Sequence, residues 1–328
     1  MRTFFVVNPR SGNGRTGKRW LEINAKIAQA LSGTAHAFTQ RPMDAAALTA
    51  RALKEGYQCI VAVGGDGTIN EVVNGFFEDR KPLVPGACLG VIPQGTGGDF
   101  RRTFGWDLDL KAAVDRVAAE PTLPLDIGVL DYLTEAGKPG VRYFANVCSF
   151  GISGLVDREV NRSSKMLGGK VSFAIASIKA FLKYRDRPVR FSVDGGKPEM
   201  VSITTLSVAN GRYFGGGMCV APEAVPSDGF LDVTIWSGFG LSDFVLKSKA
   251  LYSGSHTRLP GTRCLRCRTL EAESEQEVFL DADGEPVGKL PCKMSLISGA
   301  IQLKMGEAAL PKRGQGRALA ASSDYSQK

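Results

Sequence analysis

The sequence predicts two domains of different class: an α/β domain built on a parallel sheet over residues 1–124, and a mainly antiparallel β-sandwich over 125–305. Three observations lead there. Short apolar runs that end in glycine-rich loops recur through the first third of the chain, and each is followed by a helical pattern. After Pro124 the strand patterns continue but the regular helices stop. Beyond Met305, residues 306–328 are small and polar and read as a flexible tail.

In chain order, Thr3 to Asn8 is the first strand. It runs into Pro9-Arg10-Ser11-Gly12-Asn13-Gly14-Arg15-Thr16-Gly17-Lys18 and then a helical pattern through Leu31. Gly12, Gly14 and Gly17 satisfy GxGxxG after a strand, the pattern of a dinucleotide-binding unit. The second strand, Ala35 to Phe38, ends in Thr39-Gln40-Arg41, and no carboxylate stands there to hold a ribose hydroxyl. Asp44 is placed to cap a helix that runs to Lys54 and stops at Gly56. Cys59 to Val63 is a buried strand that delivers Gly64-Gly65-Asp66-Gly67-Thr68-Ile69-Asn70-Glu71. Three glycines in four positions leave backbone N–H groups open to a phosphate, and a helix that Thr68 or Asn70 would cap adds partial positive charge. Asp66 lies inside this seat, where a carboxylate repels a triphosphate unless a divalent cation or a hydroxyl donor stands between them. The unit repeats as strand Ala87 to Ile92 and loop Pro93 to Arg102, and Leu108 to Ala118 is the next helix. Parallel strands gather such loops at one edge of a sheet, so three glycine loops converge on one crevice.

From Leu125 the strands are Leu125–Val129, Arg142–Cys148, Val189–Val193, Val201–Ala209, Phe230–Trp236 and Val278–Asp281. Helical patterns interrupt them at Val171–Arg187 and Leu241–Ser253. The first sets Ser172, Lys179 and Lys183 on one face and an apolar stripe on the other.

The net charge of +8 is unevenly placed. Between Asp157 and Arg190 nine basic residues face three acidic ones, and Arg258, Arg263, Arg266 and Arg268 form a second cluster. Patches of this kind attract polyanions, an anionic lipid surface among them. No apolar run reaches the length of a membrane span, and Met1-Arg2-Thr3 leads straight into a strand rather than a secretory signal. Seven scattered cysteines, an odd number, suit reduced thiols, and Cys264-Leu-Arg-Cys267 is a solitary pair without a second one to complete a zinc site.

The run from Gly64 to Gly75 resembles the GGDGTxNEVxNG signature of the diacylglycerol kinase catalytic-domain family. Asn8-Pro9-x-Ser11-Gly12-x-Gly14 is similar to that family's first nucleotide loop, and Gly95, Thr96, Asp99 and Arg102 match its P-x-GTxNDxAR element. Gly98 stands where the family usually carries asparagine, and Arg101 where a small residue is usual. Gly215-Gly216-Gly217 and Ser227-Asp228-Gly229-Phe230-Leu231-Asp232-Val233 resemble a later segment, and Asp283-Gly284-Glu285 the last motif. The resemblance covers residues 3 to 305. It implies an NAD kinase/diacylglycerol kinase-like fold, and ATP bound by Asn8, Ser11, Gly12, Gly14, Lys18, Thr39, Gly64, Gly65, Asp66, Gly67, Thr68, Asn70, Glu71, Gly95 and Thr96. It implies Mg²⁺ held by Asp228 with the backbone carbonyls of Val225 and Phe230, joined through water to Asp66, Asp99 and Asp126. Glu285 becomes the base that receives the proton of a lipid hydroxyl, with Asp66 a second catalytic carboxylate.

The expected activity is phosphate transfer from ATP to a membrane lipid, diacylglycerol first, by a cytoplasmic protein that works peripherally at the inner membrane surface as a monomer or homodimer and takes no nucleic acid. The alternatives are an NAD kinase-like enzyme with a soluble acceptor and a nucleotide-binding regulator without catalysis. No GxxxxGK[ST] loop and no protein-kinase motif set is present.

Overall fold

The computed structural model describes residues 1–119, 121–162, 179–180, 184–305 and 312–314. Its parallel part contains β1 (Thr3–Val7), β2 (Ala35–Phe38), β3 (Cys59–Gly64) and, after the small hairpin β4 (Phe77–Glu78) and β5 (Lys81–Pro82), β6 (Cys88–Pro93). The order is β2-β1-β3-β6, with Phe4 beside both Ala35 and Ile60, and Cys59 beside Cys88. Every residue of β1, β3 and β6 is buried, because helices cover both faces. The helices are α1 (Arg15–Lys18), α2 (Trp20–Ala30), α3 (Asp44–Lys54), α4 (Asp66–Asn74), α5 (Asp99–Thr103) and α6 (Leu110–Ala118). Trp20, Ile23 and Ile27 of α2 meet Ala113 and Val117 of α6 on one face. On the other, Ala52 and Leu53 of α3 pack with Val72 and Val73 of α4. Each of the leucine, isoleucine and valine side chains among these contributes about 1.5–3 kcal/mol by leaving water.

Two caps differ from expectation. Met43, left-handed at φ 67°, precedes α3, and Asp44 is its first helical residue, where its carboxylate accepts from the amides of Gln40 and Arg41. The residue before α4 is Gly65, so neither Thr68 nor Asn70 caps that helix; both lie inside it.

The β-rich part contains β7 (Thr122–Leu133), β8 (Pro139–Phe144), β9 (Val147–Gly151), helix α7 (Ile152–Arg162), β10 (Arg187–Val193), β11 (Glu199–Ile203), β12 (Thr205–Ala209), β13 (Leu231–Trp236), β14 (Thr262–Cys267), β15 (Leu270–Glu273), β16 (Phe279–Ala282) and β17 (Glu285–Lys304). Pairing is antiparallel throughout this part, and the layer β9-β12-β13-β16 faces one drawn from β7, β10, β11, β15 and β17. Phe150, Leu206, Val233 and Leu280 from the first layer meet Leu130, Phe191, Ile203 and Met294 from the second, which is the expected sandwich. The helical pattern at Val171–Arg187 falls mostly outside the described residues. That at Leu241–Ser253 forms two short helices, Leu241–Leu246 and Ser248–Ser253.

β17 joins the halves. It runs parallel to β6 at Gln302 and Leu303 and antiparallel to β7, β15 and β16 along the rest of its length. Register shifts between Lys289 and Cys292 and between Ile297 and Ile301 absorb Pro291 and Gly299, which interrupt it.

Candidate active site

The loops after β1, β3 and β6 touch one another, and glycine is what lets them. A Cβ on Gly12 would stand 2.6 Å from the Gln94 carbonyl oxygen, and one on Gly95 would stand 2.5 Å from the Cα of Gly65. Between these loops the first turn of α4 presents unshielded backbone N–H groups, and Asn8 donates to the Thr68 hydroxyl at 3.0 Å across the floor. Asp66 ties the second loop to the third, accepting from Gly98 at 2.7 Å and Phe100 at 3.1 Å. Gly98 is left-handed at φ 72°, and its own amide makes that bond. The departure from asparagine therefore costs the loop none of its tie to Asp66, and glycine suits the conformation.

The fourth wall is the β16–β17 hairpin. Asp283 and Gly284 both have positive φ, 53° and 82°, and form the two-residue turn between Ala282 and Glu285. The Asp283 carboxylate accepts from the amides of Ala145, Asn146 and Val147 and from the side chain of Asn70 at 2.9 Å. Those amides turn the chain between β8 and β9, which breaks the single strand expected over Arg142–Cys148. The hairpin sets Glu285 against the glycine loop: a Cβ on Gly67 would lie 2.8 Å from Glu285 Oε1.

The cleft so enclosed has a volume of about 1100 Å³ and two ends. Loop backbone, Asn8, Ser11, Thr39, Asp66, Thr68 and Glu71 form the polar end. Ile152 and Val156 of α7, Met218, Trp236, Phe239 and Leu251 form an apolar one. Asp99 and Asp281 are its two buried acids. Burial, and after it the charge of Asp66, pushes the Asp99 carboxyl up to about 6, against the Gly216 amide and Arg102. Burial pushes Asp281 up to about 7, with Ser149 as hydrogen-bond partner and Asp283 adding repulsion.

Most of the expected nucleotide residues line this cleft: Asn8, Ser11, Gly12, Thr39, Gly65, Asp66, Gly67, Thr68, Glu71, Gly95 and Thr96, with Asp99 and Glu285 beside them. Four do not. Lys18 is exposed on α1, Gly14 is the left-handed residue before it, and Gly64 ends β3 behind Thr68. Asn70 is fully buried and braces the hairpin instead, bonding Asp283 and the Tyr143 carbonyl. Arg10 and Arg41 line the polar end, unassigned from sequence although each adjoins a motif residue. The apolar wall had no sequence signal, because its side chains come from several separate segments.

The expected metal positions lie apart from the cleft. Asp126 accepts from Gly229 and Gly299, both at 2.7 Å, so it pins the Pro226–Gly229 turn to β7 and β17 rather than facing Asp66. On that turn Asp228 is ion-paired with Arg266, whose guanidinium lies 3.9 Å above the Phe230 ring, and Arg313 stands 4.0 Å away. The Val225 carbonyl already accepts from Ser227 at 2.8 Å. This donor set has its cation, a guanidinium, and does not fit a divalent metal as arranged. Asp66 and Asp99 are the expected network acids that do line the cleft, Asp66 with an amide on each oxygen and Asp99 beside Arg102 at 3.1 Å.

A parallel sheet whose glycine loops meet an acidic hairpin from a β-sandwich defines the class of two-domain kinases built on this plan. Residues 2–130 match the diacylglycerol kinase catalytic domain and residues 146–305 the YegS C-terminal NAD kinase beta sandwich-like domain. Diacylglycerol kinases of Mycobacterium tuberculosis and Staphylococcus haemolyticus are 27% and 29% identical, each over 91% of this chain and over 93% and 86% of their own. A solved structure assigned as a diacylglycerol kinase of Bacillus anthracis superposes with a TM-score of 0.72 at 24% identity, covering 92% of this chain and 96% of that one. Yeast NADH kinase complexed with NADH shares the fold at a TM-score of 0.51 and 12% identity, over 100% of this chain and 90% of that one. The chain thus carries a region similar to the diacylglycerol kinase catalytic domain and a second one similar to its companion sandwich domain, and these relatives support a kinase.

Proposed function

We propose that the protein transfers the γ-phosphate of ATP to a hydroxyl of a membrane lipid, with diacylglycerol as acceptor and phosphatidic acid as product, in a Mg²⁺-dependent reaction at the cytoplasmic membrane surface. The observation that carries this reading is the position of Glu285, against Gly67 of the phosphate loop and in the wall of one cleft with both polar and apolar lining. The polar end suits a triphosphate, through the amides of Gly65–Thr68 and the positive end of α4. The apolar end suits acyl chains. An acceptor held there brings its hydroxyl towards Glu285. Its oxygen attacks the γ-phosphorus, the bond to the β-phosphate oxygen breaks, ADP leaves, and the hydroxyl proton passes to the Glu285 carboxylate. Asp66 and Asp99 are the residues that would hold Mg²⁺, which supplies positive charge to the phosphates.

The test is phosphate transfer from labelled ATP with Mg²⁺ to diacylglycerol, monoacylglycerol, sphingosine and ceramide in mixed micelles, with NAD as the soluble control. Labelled phosphatidic acid is expected. Label in NAD alone would overturn the substrate class. Glu285→Gln should lower kcat by about 10²–10⁴-fold with the fold intact by circular dichroism.

A further inference from the structure

The helices Leu241–Leu246 and Ser248–Ser253 break the burial pattern of the rest. Leu-Ser-Asp-Phe-Val-Leu is apolar at four of six positions, yet none of its residues is buried. Val245 is 59% exposed and Leu246 81%, and Tyr252 on the second helix is 49% exposed. Exposed apolar side chains of this size, close together in the chain, mark a surface made for contact.

The same two helices also wall the cleft. Phe244, Leu251 and Tyr252 line its apolar end beside Trp236 and Phe239. Apolar surface therefore runs from the outside of the helix pair, past Tyr252, into the acceptor end of the cleft. The charges around it are mostly basic. Lys249 and Arg258 are exposed, and Lys247 bridges to Asp243 at 2.6 Å while its ammonium lies 4.8 Å over the Phe239 ring.

We propose that this helix pair is the element that docks on an anionic phospholipid bilayer, with Val245, Leu246 and Tyr252 entering the interface and Lys249 and Arg258 at headgroup level. Apolar side chains ringed by lysine and arginine match the two components of interfacial binding: burial at the acyl boundary and attraction to anionic headgroups. The mouth of the cleft then faces the membrane, and an acceptor passes from bilayer to cleft along apolar surface. The proposal rests on the lipid-kinase reading for its choice of partner.

The test uses the full chain and vesicles of phosphatidylcholine with or without 30% phosphatidylglycerol. Wild type should sediment with the anionic vesicles, and Leu246→Glu should bind them about tenfold more weakly. Phosphorylation of vesicle-embedded diacylglycerol should fall in proportion, while that of dispersed dioctanoylglycerol stays within twofold. Leu246→Trp should shift its emission to the blue on vesicles and be quenched by brominated lipid. Equal vesicle binding by wild type and Leu246→Glu, an unquenched Leu246→Trp, or a dimer that Leu246→Glu dissociates would each overturn the proposal. Should wild type phosphorylate no lipid at all, the kinase reading falls on that result, while binding and quenching still judge the docking surface.

Discussion

Two pairs of acids that the family resemblance places in one network have opposite surroundings. In the cleft, Asp66 and Asp99 stand close enough for the charge of one to raise the pKa of the other, and a single arginine, Arg102, offsets Asp99 at 3.1 Å. Outside the cleft, Asp126 of β7 has an amide on each oxygen, and Asp228 has Arg266 with Arg313 nearby. The second pair is satisfied by the protein and fastens a turn. The first is left short of positive charge next to a phosphate seat, and such a deficit marks where a cation is needed.

The largest effect should come from Asp66→Asn. The change removes a charge, and its amide nitrogen cannot accept, so one of the two bonds from Gly98 and Phe100 is lost and the third loop loosens. A fall in kcat/KM of about 10²–10³-fold is expected, the scale for removing a preorganised electrostatic group. Mn²⁺ binding followed by electron paramagnetic resonance should weaken at least tenfold. Unchanged Mn²⁺ affinity would erase the distinction between the two pairs.

Asp228→Asn probes the other side. If the turn is held by ion pairing alone, the loss is that of a partly exposed bridge, about 1 kcal/mol, seen as a Tm lowered by about 2 °C. Turnover should change less than threefold and the Mg²⁺ requirement not at all. Collapse of turnover with a raised Mg²⁺ requirement would make this turn the metal site and reverse the comparison.

How far each region could be read from sequence follows the same division. The polar end of the cleft was legible because its chemistry is carried by backbone: glycines after apolar strands fix where N–H groups point, and local pattern shows that. β17 was not legible, since Pro286, Gly288, Pro291 and Gly299 interrupt its pattern, and only tertiary pairing, with β16 at the first two and β7 around the last two, makes one strand of it. Asn70 shows the limit of a motif. Its place in the glycine-loop signature marks it for the nucleotide, whereas the fold uses its side chain to hold Asp283, 213 residues away. The Asp228 turn was legible as a turn, but its counter-ion Arg266 comes from β14, a strand without a clear apolar alternation. The apolar wall gave no signal because no single segment supplies it.

Asp281 extends the comparison to a third acid, whose effect is on stability and appears only as pH changes. It is buried, and its hydrogen-bond partner is a serine rather than an arginine. An aspartate in the unfolded chain titrates near 3.9, whereas in the fold burial first, and then the charge of Asp283, pushes Asp281 up to about 7. Below about pH 4 both states hold the proton and Asp281 adds no pH dependence. From there to about pH 7 the unfolded chain has released a proton that the fold retains, so stability falls as pH rises, and above that the penalty is constant. Asp281→Asn removes this titration. The Tm of the variant relative to wild type should therefore climb by a few degrees between pH 4 and pH 8, whatever the offset at the acid end. A difference that stays flat across that range would show Asp281 ionised within the fold and compensated as Asp228 is, and would remove it from the comparison.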